Sequence, residues 1–127
     1  MNKLNSNRNV MRRLHESSGI SVVADPQKIL TVIESQKAIQ FEADTGDRGT
    51  HTVMLGYCKH FDAYVEYDLT ENFVRVAESD GELEDYLTEQ EDVIRDSWFN
   101  ITEISENYFD RTVRNGNGLN FQYGLFD

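Results

Sequence analysis

The alternation of apolar and polar residues is clearest in the middle of the chain. Phe61, Ala63, Val65 and Tyr67 alternate with Asp62, Tyr64, Glu66 and Asp68. That period of two is expected of a strand with one buried and one wet face. His51 to Tyr57 and Asn72 to Glu78 are strand-like as well, and the short connections make an antiparallel meander the natural arrangement. Lys37 to Ala43 predicts a further strand, with Ile39 and Phe41 on one face, and Thr45 to Gly49 a turn. Ile20 to Ala24 is short, β-branched and strand-like. Asp25-Pro26 reads as an N-cap followed by proline at the first helical position, opening a helix to about Gln36 that buries Ile29 and Ile33 along with Leu30 and Val32. At the start of the chain, Leu4, Met11 and Leu14 share one side of a short helix over residues 4–16, with Gly19 as its stop.

Two capping boxes shape the reading of the second half. Ser79 with Glu82, and Thr88 with Glu91, match the S/T-x-x-E pattern. The first predicts a short helix carrying Leu83 and Leu87, the second a longer one from Glu89 to Arg111. At about 100° per residue, Ile94, Trp98, Ile101 and Tyr108 fall on one stripe of that long helix, widened by Val93 and Ile104. Asn115-Gly116-Asn117-Gly118 is a turn signal, and Leu119, Phe121, Tyr123 and Leu125 then alternate as a last strand returning to the sheet.

These elements predict an α+β fold, with an antiparallel sheet of about four to five strands and helices packed on one face. The length, 127 residues, fits a single domain over 1–127. Its expected parts are a basic N-terminal helix or arm (1–18), a mainly β region (20–78), acidic helices (79–111) and a terminal turn and strand (115–127). A chain this long hides roughly two thirds of its unfolded surface, and an aromatic content of 11% argues against disorder. The lone Cys58 excludes an internal disulfide framework. The apolar runs Val22-Val23-Ala24 and Val53-Met54-Leu55 fall far short of the roughly 20 residues that span a bilayer, and no secretory h-region is visible at the amino terminus. The expectation is a cytoplasmic protein, in the host cytoplasm if phage-encoded, with no membrane partner.

Charge changes the picture most. The formal net charge is −11. Residues 1–40 are mildly basic. Residues 78–110 carry twelve carboxylates against Arg95 alone. On the long predicted helix, Glu89, Asp92, Asp96, Glu103, Glu106 and Asp110 fill an arc of roughly 100° opposite the apolar stripe, with Phe99 among them. Like charges at helical contact spacing cost a few tenths of a kcal/mol each, so a helix shaped for stability alone would intersperse lysines. Seven acids over roughly 33 Å give about one charge per 5 Å, close to the 3.4 Å spacing of a DNA strand. Glu82, Glu84 and Asp85 of the preceding helix would extend the patch. Such a field repels nucleic acid and anionic lipid and attracts basic partners. Arg8, Arg12 and Arg13 stand apart: they are placed to touch phosphate, to pair with the acidic face in cis or in a homodimer, or to stay solvated.

Signals for chemistry are weak. Cys58, His60 and His51 supply soft ligands without the second pair that structural zinc wants, and Cys58 with His60 lacks an orienting acid for nucleophilic work. Asp80 to Asp85 lacks calcium-loop spacing and suits a helix start. Glu66 and Asp68, on the face read as wet, lack the burial that separates the pKa values of an acid–base pair. No phosphate-binding glycine loop or nucleophile elbow is present. No catalytic, cofactor or metal residue is assigned.

The expected function is that of a non-enzymatic inhibitor. It would occupy the basic groove of a nucleic-acid-handling protein as a nucleic-acid mimic, in the manner of phage or mobile-element counter-defence proteins such as anti-CRISPR or anti-restriction proteins. The partner-binding residues would be Glu82, Glu84, Asp85, Glu89, Asp92, Asp96, Phe99, Glu103, Glu106 and Asp110, with Phe99 as apolar anchor. The partner would be a basic protein, with no direct nucleic-acid contact and a homodimer left open. The alternatives are an immunity protein against a toxin nuclease, a small viral structural or assembly protein, and a metal-dependent hydrolase using His51, Cys58 and His60.

Overall fold

The computed structural model describes residues 17–116 and 120–126. The strands are β1 (Ser17–Ser21), β2 (Lys37–Asp44), β3 (Thr50–Cys58), β4 (Ala63–Asp68), β5 (Phe73–Val76), β6 (Trp98–Ser105) and β7 (Asn120–Tyr123). The helices are α1 (Pro26–Glu34), α2 (Asp80–Glu89), α3 (Glu91–Ser97) and α4 (Glu106–Arg114). The fold is α+β, with one sheet in the order β1-β6-β2-β3-β4-β5-β7. Each neighbouring pair is antiparallel except β5 and β7, which run parallel from Phe73↔Asn120 to Val76↔Tyr123. The sheet is thus larger than expected, and mixed. No helix among the described residues is long and apolar enough to cross a membrane.

Several elements fall where the sequence places them. The Asp25 carboxylate accepts the Lys28 N–H at 3.1 Å and caps α1, with Pro26 in the first turn. The β3–β4–β5 meander forms as expected. The strand expected over 20–24 begins earlier, at Ser17, and Gly19 lies inside it at φ 73° rather than ending a helix. The helix expected over residues 4–16 lies outside the described residues.

Helices cover both faces of the sheet, not one. Ile39, Phe41, Val53 and Leu55 turn toward Ile29, Ile33, Leu83, Leu87 and Ile94 of α1, α2 and α3. Their neighbours Ala38, Met54 and Cys58 turn the other way, onto Phe109 and Val113 of α4. Val53 to Gly56 is therefore buried without a break, the pattern of a strand covered on both sides. Gly56 sits where β2 and α4 both crowd β3, with Ala38 of β2 the nearer. A Cβ there would lie 2.5 Å from the Ala38 Cβ and 3.3 Å from Phe109.

The long helix over 89–111 does not exist. α3 ends at Ser97, residues Trp98–Ser105 form β6 between β1 and β2, and Ser105 caps α4 by accepting the Tyr108 N–H at 3.0 Å. The error has a specific source. Between Thr102 and Phe99 the ladder takes three steps on β6 against two on β2, from Gln40 to Glu42, and Asn100 sits at φ 52°. This bulge puts one extra residue into β6. Trp98 and Ile101 then share the core beneath α1–α3 at a spacing of three, which in sequence imitates helical periodicity. The aromatic and β-branched content of Trp98 to Ile104 is the local signal that favours a strand.

Two glycines test this packing in opposite directions. Gly56→Ala should cost about 1–3 kcal/mol by overpacking against Ala38 of β2 and Phe109 of α4. Gly81→Ala, in α2 with open space around the new methyl group, should gain up to about 1 kcal/mol. Denaturant midpoints of both variants measure the pair. An unchanged Gly56→Ala would contradict the close packing of Ala38 and Phe109 around this glycine.

Candidate functional site

The acids expected on one helical face are divided between two sides of the molecule. Glu84, Asp85 and Glu89 on α2, and Glu91, Asp92 and Asp96 on α3, are exposed on adjacent helices covering the same face of the sheet. Arg95, the base in this segment, bonds Asp92 at 2.8 Å and Asp96 at 3.3 Å. Glu82 has structural work: its Oε1 accepts the Glu78 and Leu125 N–H groups, both at 3.0 Å, tying the start of α2 to the C-terminal segment. Ser79 makes no side-chain cap, so the predicted capping box marks the helix start while only its glutamate bonds.

The other named residues leave this surface. Glu103 lies on β6, opposite Ile39. Glu106 opens α4 and Asp110 is buried within it, across the sheet from α2 and α3. Phe99 is exposed, at 42%, but it pairs with Glu42 on the strand face opposite Trp98 and is no part of the acidic helix surface. The aromatic that does sit there is Phe126, 38% exposed, packed edge-on against Tyr86 at 5.6 Å. It shares a shallow depression with Glu84, Asp85, Thr88 and Glu89. Sequence reasoning missed it because nothing in the linear pattern places the C-terminal Leu125-Phe126 beside α2.

Beside α2 and α3, the same face opens into a cleft of about 300 Å³, walled by Phe41, Val53, Val93 and Trp98. Phe41 and Trp98 stack with ring centroids 3.8 Å apart. Polar groups from three strands and one helix meet inside it. Glu66, read as solvated, is buried because α2 lies over it, and it accepts the Tyr86 hydroxyl at 2.7 Å and Arg75 at 3.4 Å. Burial pushes its carboxyl above the ordinary range, and the Tyr86 hydroxyl and the Arg75 guanidinium reverse only part of that. His51 Nδ1 lies 2.7 Å from Asp68, and its Nε2 lies 3.6 Å from Glu71, which also meets Arg48 at 3.3 Å. Both Glu66 oxygens are engaged, and His51 is held between carboxylates.

The residues named for metal or nucleophilic chemistry do not converge. His51 and Cys58 are an odd number of residues apart on β3 and face opposite sides of the sheet. Among the described residues no group of three or more His, Cys, Asp or Glu is arranged to hold a metal ion. Burial pushes the Cys58 thiol up to about 11, with the adjacent Asp110 carboxylate adding to the rise, so it stays protonated at neutral pH and donates to Asp110 at 3.3 Å. The His60 backbone N–H bonds the same Asp110 oxygen at 3.0 Å, and Arg114 holds the other at 2.9 Å. Desolvation would raise the Asp110 carboxyl, but these donors outweigh it and hold it below the usual range. No family model matches this chain, and no curated protein or solved structure matches it either.

The two buried carboxylates should leave opposite marks on the pH dependence of stability. Glu66, raised on folding, contributes stability that is complete in acid and is lost as pH rises through its folded value. Asp110, lowered on folding, contributes stability above the ordinary carboxylate range that is lost as pH falls. Denaturant unfolding between acid and neutral pH should therefore show Glu66→Gln losing less stability than the parent on the way up. Asp110→Asn should lose less on the way down, after a cost of about 1–3 kcal/mol at neutral pH from donors left unmatched. Parallel curves for parent and variants would remove both assignments.

Proposed function

We propose that this chain is a non-enzymatic binding protein that presents the α2–α3 surface to the basic groove of a nucleic-acid-handling protein. In this reading it acts as an inhibitor that takes the place of nucleic acid, the mode of counter-defence proteins. One observation carries the reading. Between Glu78 and Asp96 the chain has nine carboxylates and one base, and two consecutive helices covering one face of the sheet hold seven of those acids in solvent. Adjacent like charges oppose helix formation, and complementary charge on a partner relieves that cost while steering encounter.

The footprint is compact. α2 spans roughly 15 Å and α3 roughly 10 Å, so the surface imitates a short, wide patch of phosphates rather than one long strand. Phe126 supplies the apolar centre that charge alone lacks. A partly exposed aromatic ringed by polar groups is the arrangement in which a few side chains dominate binding energy.

The test is affinity capture from bacterial lysate with the intact chain, followed by elution with duplex DNA. The expected result is a nucleic-acid-binding protein that added DNA releases and that rising salt weakens steeply. Glu84→Lys, Asp92→Lys and Asp96→Lys together should abolish capture while helical content is kept. Phe126→Ala should cost about 2 kcal/mol or more in affinity. A partner retained equally by the lysine variant, or indifferent to DNA, overturns the reading.

A further inference from the structure

Across the sheet from the acidic helices lies a groove of opposite sign. It runs along α4, has a volume of about 930 Å³, and is lined by Lys37, Lys59, Arg111 and Arg114. These four residues span 78 positions of sequence, from the start of β2 to the end of α4, and folding brings them together. Lys37 is placed by its ladder pairing with Ser105, the residue that caps α4. Lys59 follows directly on β3 and is held near α4 because the adjacent His60 N–H bonds Asp110. Arg111 and Arg114 lie three residues apart on the helix, which puts them on neighbouring positions of one face.

Among the described residues the one carboxylate lining the groove is Asp110, and its charge is already answered by Arg114. Its oxygens take the Cys58 thiol, the His60 N–H and the Arg114 guanidinium. Glu106, in the first turn of α4, does not line the groove. The Ser105 hydroxyl, the Asn107 amide and the His60 ring add polar groups to its wall. In a protein of net charge −11, the gathering of Lys37, Lys59 and Arg111 beside the Asp110–Arg114 ion pair is not accounted for by solubility.

We propose that this groove is a binding site for linked phosphates. Guanidinium groups offer forked donors that match phosphate oxygens, and lysines supply point charges beside them. α4 extends roughly 13 Å, room for about three or four phosphates at the spacing of one nucleic-acid strand. The groove is walled by polar side chains, which suits recognition of phosphate oxygens. The ligand is a small polyphosphate or a short stretch of phosphodiester backbone, which share this chemistry. The proposal stands on the α4 face alone and does not depend on what the α2–α3 surface binds.

Titration calorimetry of the intact chain at low salt, with tripolyphosphate in one arm and a short oligothymidylate in the other, tests it. Saturable binding of either probe is expected, and the arm that binds more tightly names the source. Lys59→Glu with Arg111→Glu should weaken that binding by about tenfold or more. Arg48→Glu with Arg95→Glu makes the same change in net charge on the opposite face and should leave most of it intact. Circular dichroism checks folding. Should the reversal unfold the chain, Lys59→Gln with Arg111→Gln replaces it, with a smaller loss expected. Absence of binding by both probes, equal weakening by the two charge reversals, or equally tight binding of polyglutamate would overturn the proposal.

Discussion

The position of β6 within the sheet is the constraint on which the rest of this structure depends. Because Trp98–Ser105 is a strand lodged between β1 and β2, the chain enters it from α3 on one face and leaves it into α4 on the other. Had the same residues continued as a helix, the acids of α3 and those of α4 would share one surface. The bulge at Asn100 makes the crossing work: it lets Trp98 and Ile101 both reach the core under α1–α3 while Ile104 turns to the core under α4. The two cores that result hold the sheet from both sides, and Gly56 leaves room for Ala38 of β2 and Phe109 of α4 to meet over β3.

That crossing also separates charge. The carboxylates of α2 and α3 stand on one side and the cations around α4 on the other. Two helix layers, each about 10 Å across, and a sheet lie between the outer surfaces, while exposed charges are screened within about 8 Å at physiological ionic strength. The two surfaces are therefore largely screened from one another at that ionic strength, and the overall charge of −11 describes neither of them. A partner close to α4 meets lysine and arginine, whatever the far side carries.

Much of this was written locally in the sequence. Asp25-Pro26 named the start of α1, the alternation through Phe61 to Asp68 named β4, and the alternation read from Leu119 to Leu125 pointed to the strand found over Asn120–Tyr123, β7. What stayed hidden was long-range. The wet face assigned to Glu66 and Asp68 assumed one covered side, and a strand's own alternation does not report which elements later cover its polar edge. The helical stripe through Ile94, Trp98 and Ile101 was a bulged strand imitating a period of three to four. The acidic patch was legible as composition over Glu78 to Asp96, but its aromatic, Phe126, arrives from the far end of the chain. Of the basic groove only the Arg111 and Arg114 pair was legible along the chain, since Lys37 and Lys59 join it from distant segments.

Asp110 shows why counting charges along the chain misleads in both directions. In the linear reading it is one of the acids that make the second half negative. In the fold it is withdrawn from solvent and surrounded by donors, the Cys58 thiol among them. A buried carboxylate is tolerated when such bonds replace its lost hydration. Here they also tie the turn after β3 to the middle of α4, so the residue that most plainly belonged to the acidic face instead fixes the geometry of the basic one. Removing its charge would loosen the seat of Lys59 before it enlarged the positive field, because the field is set by where the cations are held and Asp110 is part of what holds them.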